Sequence, residues 1–61
     1  MKNRWRIRFR GDSEAEIILI ASLSSQGNYW KYLGKRSYII DISDEDLDEL
    51  MPNLASFEPI L

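Results

Sequence analysis

The sequence predicts a small α+β domain in the order β-α-β-β-α-β. Three observations predict it. Residues 4 to 10 alternate strictly between arginine and large apolar side chains, Ser37 to Leu61 reads as strand, capped helix, turn and strand, and Ser13 to Gly27 between them carries helix signals at both of its ends.

In the first strand Arg4, Arg6, Arg8 and Arg10 fall on one side and Trp5, Ile7 and Phe9 on the other. A period of two means a strand with one face in the core and one in water, and the aromatic and β-branched apolar set suits a pleated surface. Gly11-Asp12 ends it.

Ser13 to Gly27 admits two readings. Ser13 with Glu16 has the spacing of a capping box, acids fill the first turn, and Gly27 stands where a C′ glycine belongs; these favour a helix. Ile17-Ile18-Leu19-Ile20 is β-prone, however, and the apolar residues spread around the helical wheel instead of forming one stripe. As a hairpin strand, the segment would set Arg10 opposite Glu14 and Arg8 opposite Glu16. Agreement between the two ends tips the reading to helix.

Asn28 to Leu33 reads as a short aromatic strand, Gly34-Lys35-Arg36 as a turn, and Tyr38 to Ile42 as the next strand, an antiparallel hairpin. Tyr38, Ile40 and Ile42 share one face, and Ile39 and Asp41 the other. Ser43 is an N-cap, with Asp44, Glu45 and Asp46 at the positive end of the helix dipole and Leu47, Leu50 and Met51 on one face. Pro52 disfavours the α conformation at Met51 and so ends the helix, Asn53 turns the chain, and Leu54 to Ile60 supplies a last edge strand that tolerates Pro59 near its end. Expected core residues are Trp5, Ile7, Phe9, Ile40, Ile42, Leu47, Leu50, Leu54 and Phe57. The order is that of the split-βαβ, ferredoxin-like arrangement, four antiparallel strands with two helices on one face and the first and third strands central. A β-meander with one carboxyl-terminal helix is the alternative.

Composition narrows the function. At 61 residues the chain forms one domain, residues 1–61, which buries only about 60% of its unfolded surface. With neither cysteine nor histidine it lacks a disulfide, the commonest metal ligand and the usual general base, and no acidic run has calcium-loop spacing. The expectation is a non-enzymatic protein without cofactor or metal. The amino-terminal ten residues hold no apolar h-region, and the longest apolar run, Ile17 to Ala21, is far shorter than a membrane span, so a soluble protein, cytoplasmic by default, is expected.

The net charge of −2 conceals a segregated distribution. Lys2 and the four arginines occupy the first ten residues, whereas Asp41, Asp44, Glu45, Asp46, Asp48 and Glu49 cluster further on. Such asymmetry speaks of surfaces and partners. The acids are accounted for by helix capping and a solvated face, ahead of a DNA-mimic role, and Arg10-Gly11-Asp12 is a tripeptide of high chance frequency. The arginines are either a solvated strand face, their stems covering apolar surface, or a docking face for an acidic partner, partly offset by Asp41 and Glu58.

From Tyr38 to Pro59 the chain resembles the subtilisin propeptide and peptidase-inhibitor family. Tyr38-Ile-Ile-Asp-Ile42 matches its strand that opens on an aromatic, and Ser43-Asp-Glu-Asp-Leu47-Asp-Glu-Leu50 its Ser-capped acidic helix with spaced leucines. Pro52-Asn53-Leu54 stands for its Pro-Gly-Val turn and Phe57-Glu58-Pro59 for its final Val-Glu-Pro-Asp signature. Ser37 replaces the usual glycine, Ile60 the final Asp, and the interval from Leu50 to Pro52 is shorter than in the family. The resemblance implies a ferredoxin-like fold and a protease inhibitor or propeptide-like, chaperone-type module, docking through the open sheet face and a carboxyl-terminal tail. Candidate partner-binding residues are therefore Arg4, Arg6, Arg8, Arg10, Ile39 and Asp41 on the face, with Glu58, Pro59, Ile60 and Leu61 in the tail. An alternative is a sheet-face RNA or single-stranded DNA binder in which Trp30 and Tyr32 stack bases beside the arginines. A third reading is a small phage or mobile-element regulator that binds a host protein. Monomer and edge-paired dimer both remain open.

Overall fold

A computed structural model describes residues Met1–Leu61. Its elements are β1 (Lys2–Phe9), α1 (Ala15–Ser25), β2 (Trp30–Gly34), β3 (Ser37–Ser43), α2 (Asp44–Leu50), a 3₁₀ turn (Met51–Asn53) and β4 (Leu54–Pro59). The strands form one antiparallel sheet in the order β2-β3-β1-β4, so β1 and β3 are interior and β2 and β4 are edges.

The alternation in β1 decides the layering. Ile7 and Phe9 are buried together with Tyr38, Ile40 and Ile42 of β3, and Leu23 of α1, Leu47 and Leu50 of α2 and Leu54 join them in a single core. Both helices thus cover the face that carries Ile7 and Ile40. The opposite face carries Arg4, Arg6 and Arg8 and has no helix upon it.

Segment 13–27 forms helix α1 over Ala15–Ser25, and its carboxyl end is closed as the glycine predicts. Gly27 has φ +70, and the amides of Gly27 and Asn28 donate to the carbonyls of Ser24 and Leu23, the paired bonds of a Schellman motif. The amino end differs from the expected capping box. Ser13 Oγ accepts from the amide of Ala15 at 3.1 Å, but Glu16 does not turn back to the Ser13 backbone. Its carboxylate instead takes the Arg36 guanidinium at 2.9 Å and the Tyr38 hydroxyl. A capping box would give this carboxylate one bond to an uncharged amide; here it has two, one of them an ion pair with a guanidinium.

α2 follows the sequence closely. Ser43 Oγ accepts from the amide of Asp46 at 3.2 Å, Asp44, Glu45 and Asp46 fill the first turn, and the α-helix stops at Leu50 before Pro52. In the β2–β3 turn Lys35 and Arg36 both adopt left-handed backbone, φ 53 and 60. Two-residue hairpin turns need that conformation because it matches the twist of the strands.

Two expectations for the sheet require correction. Arg10 lies beyond the end of β1, where the chain turns at Gly11-Asp12 and the Ser13 amide donates back to the Arg10 carbonyl at 3.1 Å. Its amide donates to the Asn53 carbonyl, and its guanidinium turns to Asp12 at 3.4 Å and the Pro52 carbonyl at 3.3 Å, away from the other arginines. Phe57 is not core but 44% exposed, since β4 is an edge strand. It packs on the half-buried Trp5 with ring centroids 6.1 Å apart.

Candidate docking face

Pairing register sets what surrounds each arginine. Arg4 lies opposite Asp41; Arg6 lies between Ile39 of β3 and Glu58 of β4; Arg8 lies between Ser37 and Ser56. Directly opposite residues in an antiparallel pair point to the same face. The helix-free face is therefore a three-strand strip of arginines down the middle, flanked by Asp41, Ile39 and Ser37 on one side and Glu58 and Ser56 on the other. Lys31 of β2, opposite Ile39, adds a cation beyond β3.

The three arginines are held differently. Arg4 is clamped: Nε donates to Asp41 Oδ1 at 2.7 Å and Nη2 to Oδ2 at 3.1 Å, while the guanidinium lies 4.3 Å from the centre of the Tyr29 ring. This bidentate bond holds the Asp41 carboxyl below its usual range and raises Arg4 in turn. Arg8 is half-anchored, with Nε donating to the buried Ser37 Oγ at 3.1 Å and its terminal nitrogens left over. Arg6 has neither a hydrogen bond nor an ion pair, although Glu58 is its neighbour in register. Arg6, Arg8, Ser37, Ser56 and Glu58 line a shallow cleft of about 390 Å³. Guanidinium groups presented with free N–H edges suit carboxylate or phosphate oxygens, which they bind in pairs.

The candidate residues divide accordingly. Arg4, Arg6, Arg8, Ile39, Asp41 and Glu58 come together on this face; Arg10 does not. Pro59 is opposite Trp5, on the helix side, and the Ile60 amide donates to the Arg4 carbonyl at 2.9 Å, so the tail through Ile60 continues the edge of the sheet. Leu61 is fully exposed.

Trp30 and Tyr32 are also elsewhere. They pair with Ile40 and Tyr38, so they stand on the helix side, their rings 6.3 and 5.1 Å from that of Tyr38 and Trp30 Nε1 donating to Ser24 Oγ at 2.9 Å. They cannot stack a base beside the arginines. The aromatic residue that does reach that face is Tyr29, whose carbonyl accepts from the Asp41 amide. Tyr29 and Lys31 were legible as the odd-numbered set of 29–33, the set that alternation puts opposite Trp30 and Tyr32.

No three His, Cys, Asp or Glu side chains converge as metal ligands, and no helix is long and apolar enough to cross a membrane. In comparisons with known proteins, no family model, no curated protein and no solved structure matches the chain.

Proposed function

We propose that the protein is a non-enzymatic binding module that docks an acidic surface of a protein partner on its helix-free sheet face. One observation carries the reading: Arg6 and Arg8 stand side by side in the middle of an open sheet, with no carboxylate bound to either. A purely structural arginine row would be expected to find its counter-charges within the domain, as Arg4 finds Asp41. Strand order supports a ferredoxin-like arrangement, since β2-β3-β1-β4 reads β4-β1-β3-β2 from the other edge, with β1 and β3 central. Together with the resemblance of Tyr38 to Pro59, that makes a subtilisin-type protease the first partner to test.

The nucleic-acid reading is weaker on this geometry. Trp30 and Tyr32 lie on the other face, and the ring of Tyr29 is already covered by Arg4.

The test has two arms. In a titration against a subtilisin-type protease, inhibition at micromolar concentration supports the narrower reading, and none rejects it. In a pull-down from the source cell, the wild type should capture a protein partner that the Arg6→Glu, Arg8→Glu double variant loses while keeping its circular dichroism. Capture that survives the double variant would move the docking surface off this face.

A further inference from the structure

The region least like the surface of a small soluble domain lies at the opposite edge of the sheet. Residues 17 to 30 contain no charged side chain, in a chain that is 30% charged. Within them α1 is apolar on every side, a pattern expected of a helix buried all round, yet Ile17 is 81% and Ile18 72% exposed. Ile17, Ala21 and Ser24 follow one another at helical spacing along one stripe. Because Ser24 accepts the Trp30 indole N–H, that stripe faces the β2 edge, where Trp30, Tyr32 and Leu33 are exposed as well.

β2 also carries an unused backbone edge. The Asp41 amide donates to the Tyr29 carbonyl, which places Tyr29 and Lys31 in the hydrogen-bonding positions toward β3. In an antiparallel ladder the alternate residues, Trp30 and Tyr32, then turn their N–H and C=O groups outward. The other sheet edge is guarded: β4 ends in Glu58 and Pro59, and a charge and a residue without an N–H both discourage pairing. β2 has no proline, and its single charge, Lys31, pairs in register with Ile39 and so stands on the helix-free face, away from the α1 stripe.

We infer that this edge is a self-association surface, on which a second copy of the chain pairs β2 with β2 antiparallel and seats the Ile17 stripe of α1 on its mate. Charge selects this occupant. An acidic or basic partner would find no charge along residues 17 to 30 and only Lys31 on β2, which points to the helix-free face, whereas a second copy presents the same apolar helix stripe and strand edge, and a two-fold contact brings identical patches together. With Tyr32 opposite its own mate, Lys31 falls opposite the partner's Leu33 and like charges do not meet. Dimensions agree as well: eleven helical residues and five strand residues each run about 16 Å, so helix and strand can be covered together. Such a strip lies at the small end of specific interfaces, so association should depend on concentration. The contact leaves the arginine face open and does not rest on the proposed docking role.

Sedimentation of the 61-residue chain across a dilution series tests it. The wild type should pass from twice its 7.2 kDa mass to the monomer mass on dilution. Ile17→Glu, at a position exposed enough to leave the fold intact by circular dichroism, should remain monomeric throughout. Phe57→Glu, on the β4 edge, should dimerise like the wild type. A wild type that is monomeric even at about 1 mM, the weak limit of useful affinity, overturns the inference. So does an Ile17→Glu variant that still dimerises, or a Phe57→Glu variant that does not.

Discussion

Glu16 is the residue whose role changes most between sequence and structure. Read along the chain it closes a capping box; in space it joins α1 to the β2–β3 hairpin by accepting from Arg36 and Tyr38. The Tyr38 hydroxyl and then Arg36 hold its carboxyl below the usual range, and burial together with Glu16 raises the Tyr38 phenol to about 12. Both shifts convert into pH-dependent stability with opposite signs. Glu16 and Asp41, lowered in the folded state, contribute stability that is present above the ordinary carboxyl values of 4.5 and 3.8 and lost as the pH falls through their folded values. Tyr38, raised from 10.0, contributes stability that is present below pH 10 and lost as the pH climbs toward 12. In denaturant titrations Tyr38→Phe should cost about 1 kcal/mol at neutral pH, the usual loss for one hydrogen bond, and its spectrophotometric titration should lack the step near pH 12. Glu16 is not legible as a bridge because its partners lie 20 and 22 positions away, beyond the reach of a local cap signal.

Elements were legible wherever local rules and tertiary packing agree. α2 has its cap, its acids and its leucines in one nine-residue run, Ser43 to Met51, and the structure keeps all of them. Ser43→Ala should therefore lower stability by about 1 kcal/mol, as lost N-caps do, measured by thermal or denaturant unfolding. α1 was ambiguous because its apolar residues surround the helix, so neither period dominated; only its ends, and in particular Gly27, distinguished helix from strand. The position of the β2–β3 turn is legible in Gly34-Lys35-Arg36, but its backbone conformation is not. Lys35 and Arg36 stand in a left-handed conformation that side chains with a Cβ disfavour. Arg36 is bound to Glu16 and to the Ser13 carbonyl, whereas exposed Lys35 is bound to neither. Lys35→Asn, which tolerates positive φ, should accordingly stabilise the domain by about 0.5 kcal/mol, half or less of the left-handed penalty, seen as a higher denaturant midpoint.

For the molecule as a whole, alternation in β1 sorted nearly everything that matters. It put Ile7 and Phe9 in the core and Arg4, Arg6 and Arg8 on the open face, and the register then supplied Asp41 and Glu58 as their neighbours. What alternation does not reveal is where β1 stops, at Phe9 before Arg10; nor do the Trp30 and Tyr32 aromatics announce their side, which depends on β2 pairing Trp30 with Ile40. If the arginine face does the docking, partner affinity should fall as ionic strength rises, because exposed charges are screened over about 10 Å at 0.1 M salt; affinity that is unchanged between low and high salt would assign binding to an apolar surface instead. The pairing of β1 with β4 has a bearing on how the chain comes to be folded. Trp5 lies opposite Pro59 and the Ile60 amide closes onto Arg4, so contacts span about 50 positions of sequence. Loop closure over that length precedes any reward from the contacts it permits, which slows folding. During synthesis β1 leaves the ribosome long before its β4 partner, and until then the outer edge of β1 stays unpaired.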